Sequence, residues 1–199
     1  MSGNILPQSS VPQINMRGFT GHWSYLLGDS ICLANERTKI KSNLISKLSA
    51  SIVLSRVALE SFMNESYLNR FPMCSKSKFD SFQNERFAEK ICLLEINADA
   101  ISERLLDAIS HQNNIRNFCT HYKVGFLSKN INESISFICG KNSINCITDI
   151  ICTDVVRFCI GVTAKTALFI EGENKNALLY NKKNVEICTQ VLKEFDFDA

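Results

Sequence analysis

The chain has 199 residues, of which 45% are hydrophobic and 21% charged, with a formal net charge of +2. That length supports one well-buried core and is short for two, and the balance is that of an ordinary globular protein. It argues against a protein that grips nucleic acid by bulk charge, so any contact with phosphates has to be local.

Residues 1–30 hold two of the three prolines and four of the eight glycines. They read as a flexible or irregular lead-in, with Trp23 and Tyr25 available to dock onto the core. Residues 31–199 read as a single helical domain. From Ile31 to Phe71 there is neither Gly nor Pro. Ile40, Leu44, Leu48, Ile52 and Leu59 recur there at near-helical spacing, and Ile45, Val57 and Phe62 widen the stripe. This predicts one long amphipathic helix, stopped by Pro72. A second helix is expected from about Phe79 to Asn97, on Phe82, Phe87, Ile91 and Leu94. A third is expected from about Ile101 to Tyr122, on Leu105, Leu106, Ile109, Ile115 and Phe118, with Gly125 just beyond as a terminator. The second and third could equally be one bent helix.

The segment 126–147 is ambiguous. Ile135-Ser136-Phe137 alternates and Gly140-Lys141-Asn142 is a turn signal, which leaves room for a small hairpin or an irregular insert. A fourth long helix is expected over about Thr148 to Phe169, and a shorter one near Asn184 to Phe195. The fold class is therefore all-α, an up-down bundle of four to five helices.

No apolar run reaches the ~18 residues that cross a bilayer. The longest apolar-rich stretch, Ile147 to Ile170, is broken by Asp149, Asp154, Arg157 and Lys165. The N-terminus lacks a positive patch followed by an apolar run, so a secretory signal is not expected. The nine cysteines are odd in number, with no C-x2-C spacing and no zinc-finger partner histidine. They read as small core residues in a reducing compartment. The expectation is a cytoplasmic chain with no membrane partner, no metal and no cofactor.

Histidine chemistry has three candidates, His22, His111 and His121. His22 lies in the Gly-rich lead-in without an evident partner, and His111 sits in a polar run. His121 follows Arg116 by five residues and Asn117 by four. On a helix Asn117 and His121 share a face. Arg116 and His121 lie about 140° apart and about 7.5 Å along the axis, so the Arg stem has to swing toward the imidazole. One imidazole and one guanidinium around a small space suit metal-free RNA cleavage. Histidine serves as base or acid near neutrality, and Arg matches the charge gathering on a phosphorane. Asn117 can orient the ring or hold a phosphate oxygen. Reliance on the 2′-OH would restrict the reaction to RNA. A merely solvated polar face is the alternative.

The string Arg116-Asn117-x-x-x-His121 resembles the signature of HEPN domains (higher eukaryotes and prokaryotes nucleotide-binding). Ala58-Leu59-Glu60-Ser61-Phe62-Met63-Asn64-Glu65 is similar to a run in the first helix of that family, and the Phe82–Leu94 helix has the matching place and character. The resemblance covers about residues 37–170. It implies a compact bundle of four or five helices and a homodimer that sets two Arg–His pairs across a shared cleft. It further implies metal-independent endoribonuclease activity, in toxin–antitoxin or antiviral defence settings, with an antitoxin or other regulatory protein as a partner. Carried over by position, Arg116 and His121 are the catalytic pair and Asn117 the polar helper. Some family toxins carry a modifiable Tyr two residues after the His. Here that position is Lys123, with Tyr122 beside His121 instead. Tyr122, Lys123 and Arg104 are candidate RNA contacts, as is Lys129. Glu60 and Asn64 could support the site from the first long helix, or Glu60 could simply pair across the bundle. A non-catalytic nucleotide- or protein-binding module of the same type is the second functional reading.

Overall fold

The computed structural model describes residues 21–36, 41–121, 129–173, 181–195 and 197. The described residues are helical and include no strand. In chain order the helices are α1 (His22–Asn35), α2 (Lys41–Arg70), α3 (Lys76–Asn84), α4 (Phe87–Leu93), α5 (Glu103–His121), α6 (Lys129–Cys139), α7 (Ile147–Ile150), α8 (Thr153–Gly172) and α9 (Lys182–Phe195).

The helix expected from Ile31 to Phe71 is divided: Ile31 to Asn35 close α1, Glu36 has extended backbone, and the long helix α2 starts at Lys41 and stops before Pro72. Arg70 ends it and is held there by the carbonyl of Leu94 and by Glu95, whose carboxylate lies 3.5 Å from the Arg70 Nε. Leu48, Ile52, Leu59 and Phe62 of the predicted stripe are buried, whereas Leu44 and Val57 are exposed. Ser51, Ser55, Arg56, Ala58 and Met63 are buried as well, so the buried face is displaced from the predicted stripe.

Several further expectations are corrected. First, the expected irregular lead-in contains α1 from His22 onward, and Trp23 and Leu27 of that helix are fully buried while Tyr25 is 74% exposed. The helix lies antiparallel on α2, since Trp23 packs edge-on against Phe62 and Ser30 hydrogen-bonds the Ser51 carbonyl. Gly28 did not prevent this, because tertiary packing outweighs the ~1 kcal/mol propensity cost of a helical Gly. Second, the expected helix from Phe79 to Asn97 is two short helices, α3 and α4, separated at Glu85 and Arg86, both of which have extended backbone. Third, Ile135-Ser136-Phe137 belongs to helix α6, not to a hairpin. Ile131, Ser134 and Ile135 form its buried face, which is a helical period. The fourth expected helix divides into the single turn α7 and the long α8. The bundle thus holds more helices than the four or five expected.

Helix α8 is the inner element. Val155, Val156, Cys159, Ile160, Val162, Ala164 and Ala167 are fully buried. It packs against α2, α5, α6, α9 and α1, and α2 in turn packs against α5 and α1. The functional candidates therefore sit on α5, a helix wedged between α2, α6 and α8. Gly125 lies outside the described residues. No described helix is long and apolar enough to cross a membrane.

Candidate functional site

Helix α5 runs unbroken through Asn113 and Asn114 to His121. Its buried face carries Leu105, Ala108, Ile109, Gln112, Ile115 and Phe118, at helical spacing. That leaves Asn117 and His121 exposed on one face of the last two turns. Because there is no bend near Asn113-Asn114, the ideal-helix offset between Arg116 and His121 stands.

Arg116 is three-quarters buried, and its Nη2 lies 3.1 Å from Glu60 Oε1 of α2. Glu60 Oε1 also receives Arg56 Nε of its own helix at 3.3 Å. One carboxylate thus ties two guanidinium groups and fixes α2 to α5. Arg56 is 8% exposed. Burial works against its charge, Glu60 offsets that, and the Arg116 charge adds to the penalty. The far side of Arg56 reaches Gln112 Oε1 at 3.5 Å, and the Gln112 amide donates to the Cys159 carbonyl and to Thr163 Oγ1, each at 2.8 Å. A polar chain therefore runs from the α8 interior through Gln112, Arg56 and Glu60 to Arg116. Arg56 and Gln112 escaped the sequence reading. The available signal was a polar residue at a stripe position on each helix, since a buried Arg or Gln requires partners.

The support expected from Glu60 is present as an ion pair. Asn64, one turn further along α2, has a buried Oδ1 with no hydrogen-bond partner among the described residues. Arg104 is exposed on the first turn of α5, roughly 25 Å along the axis from His121, so one chain does not bring it to the pair. Lys129 is exposed at the start of α6 and pairs with Glu133. Tyr122 and Lys123 lie outside the described residues. His111 is half-buried, with Nδ1 3.0 Å from Ser134 Oγ and its ring 4.3 Å from that of Phe137. Burial lowers its pKa, partly countered by Asp107 and Glu133. These contacts give it a packing role between α5 and α6.

A cavity of about 570 Å³ opens beside the same polar chain, walled by α2, α4 and α5. It shares Arg56 and Glu60 with the Arg116 network. Among the described residues one group has donor spacing for a metal ion, Cys139, Cys152 and Asp154, at the α6–α8 junction. Cys152 precedes the first turn of α8, where the N–H groups of Val155 and Asp154 favour its thiolate. It also takes a hydrogen bond from Cys139 and is shifted toward thiolate. The chain matches no known family model, and no characterised protein or solved structure is significantly similar to it.

Proposed function

We propose that the chain is a metal-independent endoribonuclease of the HEPN type, acting as a homodimer and serving as a toxin or defence effector in the cytoplasm. The observation that carries this reading is the end of α5. Arg116 is anchored by Glu60 with a quarter of its side chain still open, and Asn117 and His121 stand exposed on the following turns.

In this mechanism His121 of one protomer takes the proton of the RNA 2′-OH, and the freed oxygen attacks the adjacent phosphorus. The 5′-oxygen leaves with a proton from the second His121, giving a 2′,3′-cyclic phosphate and a 5′-hydroxyl. Arg116 faces the extra negative charge of the phosphorane, and its pairing with Glu60 limits the rotamers it samples. Asn117, one turn before His121, orients the imidazole or donates to a phosphate oxygen. Tyr122, Lys123 and Arg104 are the proposed RNA contacts. An antitoxin or other regulatory protein would restrain the activity.

The test is incubation of RNA with purified chain in EDTA, beside Arg116→Ala and His121→Ala. Cleavage by wild type and its loss by about 10²-fold or more in each variant are expected. Cleavage that survives in both variants removes the assignment of the site. If wild type cuts no RNA, the non-catalytic binding module becomes the better reading.

A further inference from the structure

The cavity between α2, α4 and α5 contains a cation that has no hydrogen-bond acceptor among the described residues. Lys90 of α4 lines it and is 6% exposed. Its ammonium lies 5.3 Å from the centre of the Phe82 ring and makes no hydrogen bond or ion pair with any described residue. Contact with a ring face offsets part of the desolvation of an ammonium, and no described residue accepts from its three N–H donors. Burial lowers the Lys90 pKa, against the opposing pull of Glu60 and Glu85.

Arg86, on the break between α3 and α4, adds a second cation to the rim, and it too has no ion pair among the described residues. Arg56 forms the inner wall. Glu60 is already engaged by Arg56 and Arg116, which leaves exposed Glu85 as the unneutralised acid of the lining. The positive charge is therefore in excess at the Lys90 end. Met63, Phe87, Leu106 and Ile109 supply the cavity's apolar lining. Leu106 is 41% exposed, so this lining is open to an incoming molecule. Small-molecule sites have this composition, an apolar lining with a few convergent polar groups, and volumes of roughly 300–1,000 Å³.

We infer that this cavity binds a small organic phosphate, with its phosphoryl group between Lys90 and Arg86 and its carbon body against the Met63–Ile109 wall. Arg86 matches phosphate with its planar fork, and Lys90 supplies a point charge that desolvation strengthens. The site is separate from the exposed end of α5, since neither His121 nor Asn117 lines it, although it shares Glu60 with the Arg116 ion pair.

The test is calorimetric titration of the full chain with phenyl phosphate, with inorganic phosphate and phenol as the single-part probes. Saturable binding of phenyl phosphate is expected, tighter than that of either part. Lys90→Met keeps the buried stem and removes the charge, and should weaken binding about tenfold or more. Arg86→Ala lies at an exposed position and should weaken it several-fold without disturbing the fold. His121→Ala should bind as wild type does, which separates this site from the proposed nuclease centre. Absence of saturable binding overturns the inference, as does unchanged affinity in Lys90→Met and Arg86→Ala, or phenol binding as tightly as phenyl phosphate.

Discussion

Gln112 is fully buried, and both ends of its amide are engaged. Its oxygen faces Arg56 and its nitrogen donates to α8, so the residue couples three helices. Gln112→Leu keeps much of the volume but removes one partner each from Arg56, which keeps Glu60, and from Thr163, which keeps the Ser55 carbonyl. Stability should fall by about 2–4 kcal/mol, read as the shift in urea midpoint at constant slope. Glu60→Gln makes a sharper test of the link between packing and chemistry. Glu60 is 38% exposed as a side chain, so water replaces part of what its ion pairs supply. The stability loss should be only about 1 kcal/mol. Cleavage should fall further than stability predicts, because Arg116 is no longer anchored, and a variant that cuts as wild type does would dismiss the positioning role. His111 gives a pH signature. Its folded pKa lies below the ordinary value of about 6.5, so the unfolded chain binds the proton more readily. Its contribution to stability is intact above pH of about 6.5 and declines as pH falls toward the lowered folded pKa. The difference in urea midpoint between wild type and His111→Gln should therefore narrow between pH 7.5 and 5. A constant difference would show that His111 is not the responsible group.

At the scale of elements, α1 and α8 begin in ways that hydropathy does not reveal. Gly21 precedes α1 with φ of 95°, a left-handed backbone that Gly adopts readily, and no side chain of its own caps the helix. The cap comes from α2. Glu65 accepts from the Gly21 N–H at 2.8 Å and from the Trp23 N–H at 3.1 Å. Removing it in Glu65→Ala should cost about 1 kcal/mol and speed amide exchange in α1 more than in α8. The start of α8 is a thiol. Cys152 should react with iodoacetamide near neutral pH faster than the exposed Cys32 and Cys92, as mapped by mass spectrometry, because its thiolate is favoured by Cys139 and by the N–H groups of Val155 and Asp154. Equal labelling of the three would refute that environment. Much of this was readable from spacing alone. Pro72 marked the end of α2, and Leu105, Ile109, Ile115 and Phe118 marked the buried face of α5. What escaped depended on contacts distant in sequence. Trp23 and Leu27 stabilise a helix in a Gly-rich stretch only because Phe62 and Glu65 lie opposite. The period of two in Ile135-Ser136-Phe137 was outvoted by Ile131 one turn earlier, which a three-residue window does not see. At the site, Arg116, Asn117 and His121 were visible as a string, whereas Glu60 as the anchor of Arg116 rested on resemblance. Arg56 and Lys90 carry no local pattern, since their meaning lies in what surrounds them.

For the whole molecule the decisive question is how many imidazoles reach one phosphate. Cleavage by 2′-OH attack needs a base at the nucleophile and an acid at the leaving oxygen. One α5 presents one exposed imidazole at its end, and the half-buried His111 is engaged with Ser134 and Phe137. At the end of α5 a single chain thus provides one of the two groups, and a two-fold pair that joins these ends would provide both along with two Arg116 side chains. The proposed enzyme should therefore obey mass action. Its rate should rise with the square of chain concentration while monomer predominates, and become proportional to concentration once dimer does. Initial rates on a short RNA, measured over a dilution series with sedimentation on the same samples, test this directly. The change in rate law should fall at the concentration where the sedimenting species changes from monomer to dimer. A rate proportional to chain concentration throughout a range in which the dimer dissociates would mean that one chain cuts alone, and the shared cleft would have to be abandoned even if Arg116 and His121 proved essential.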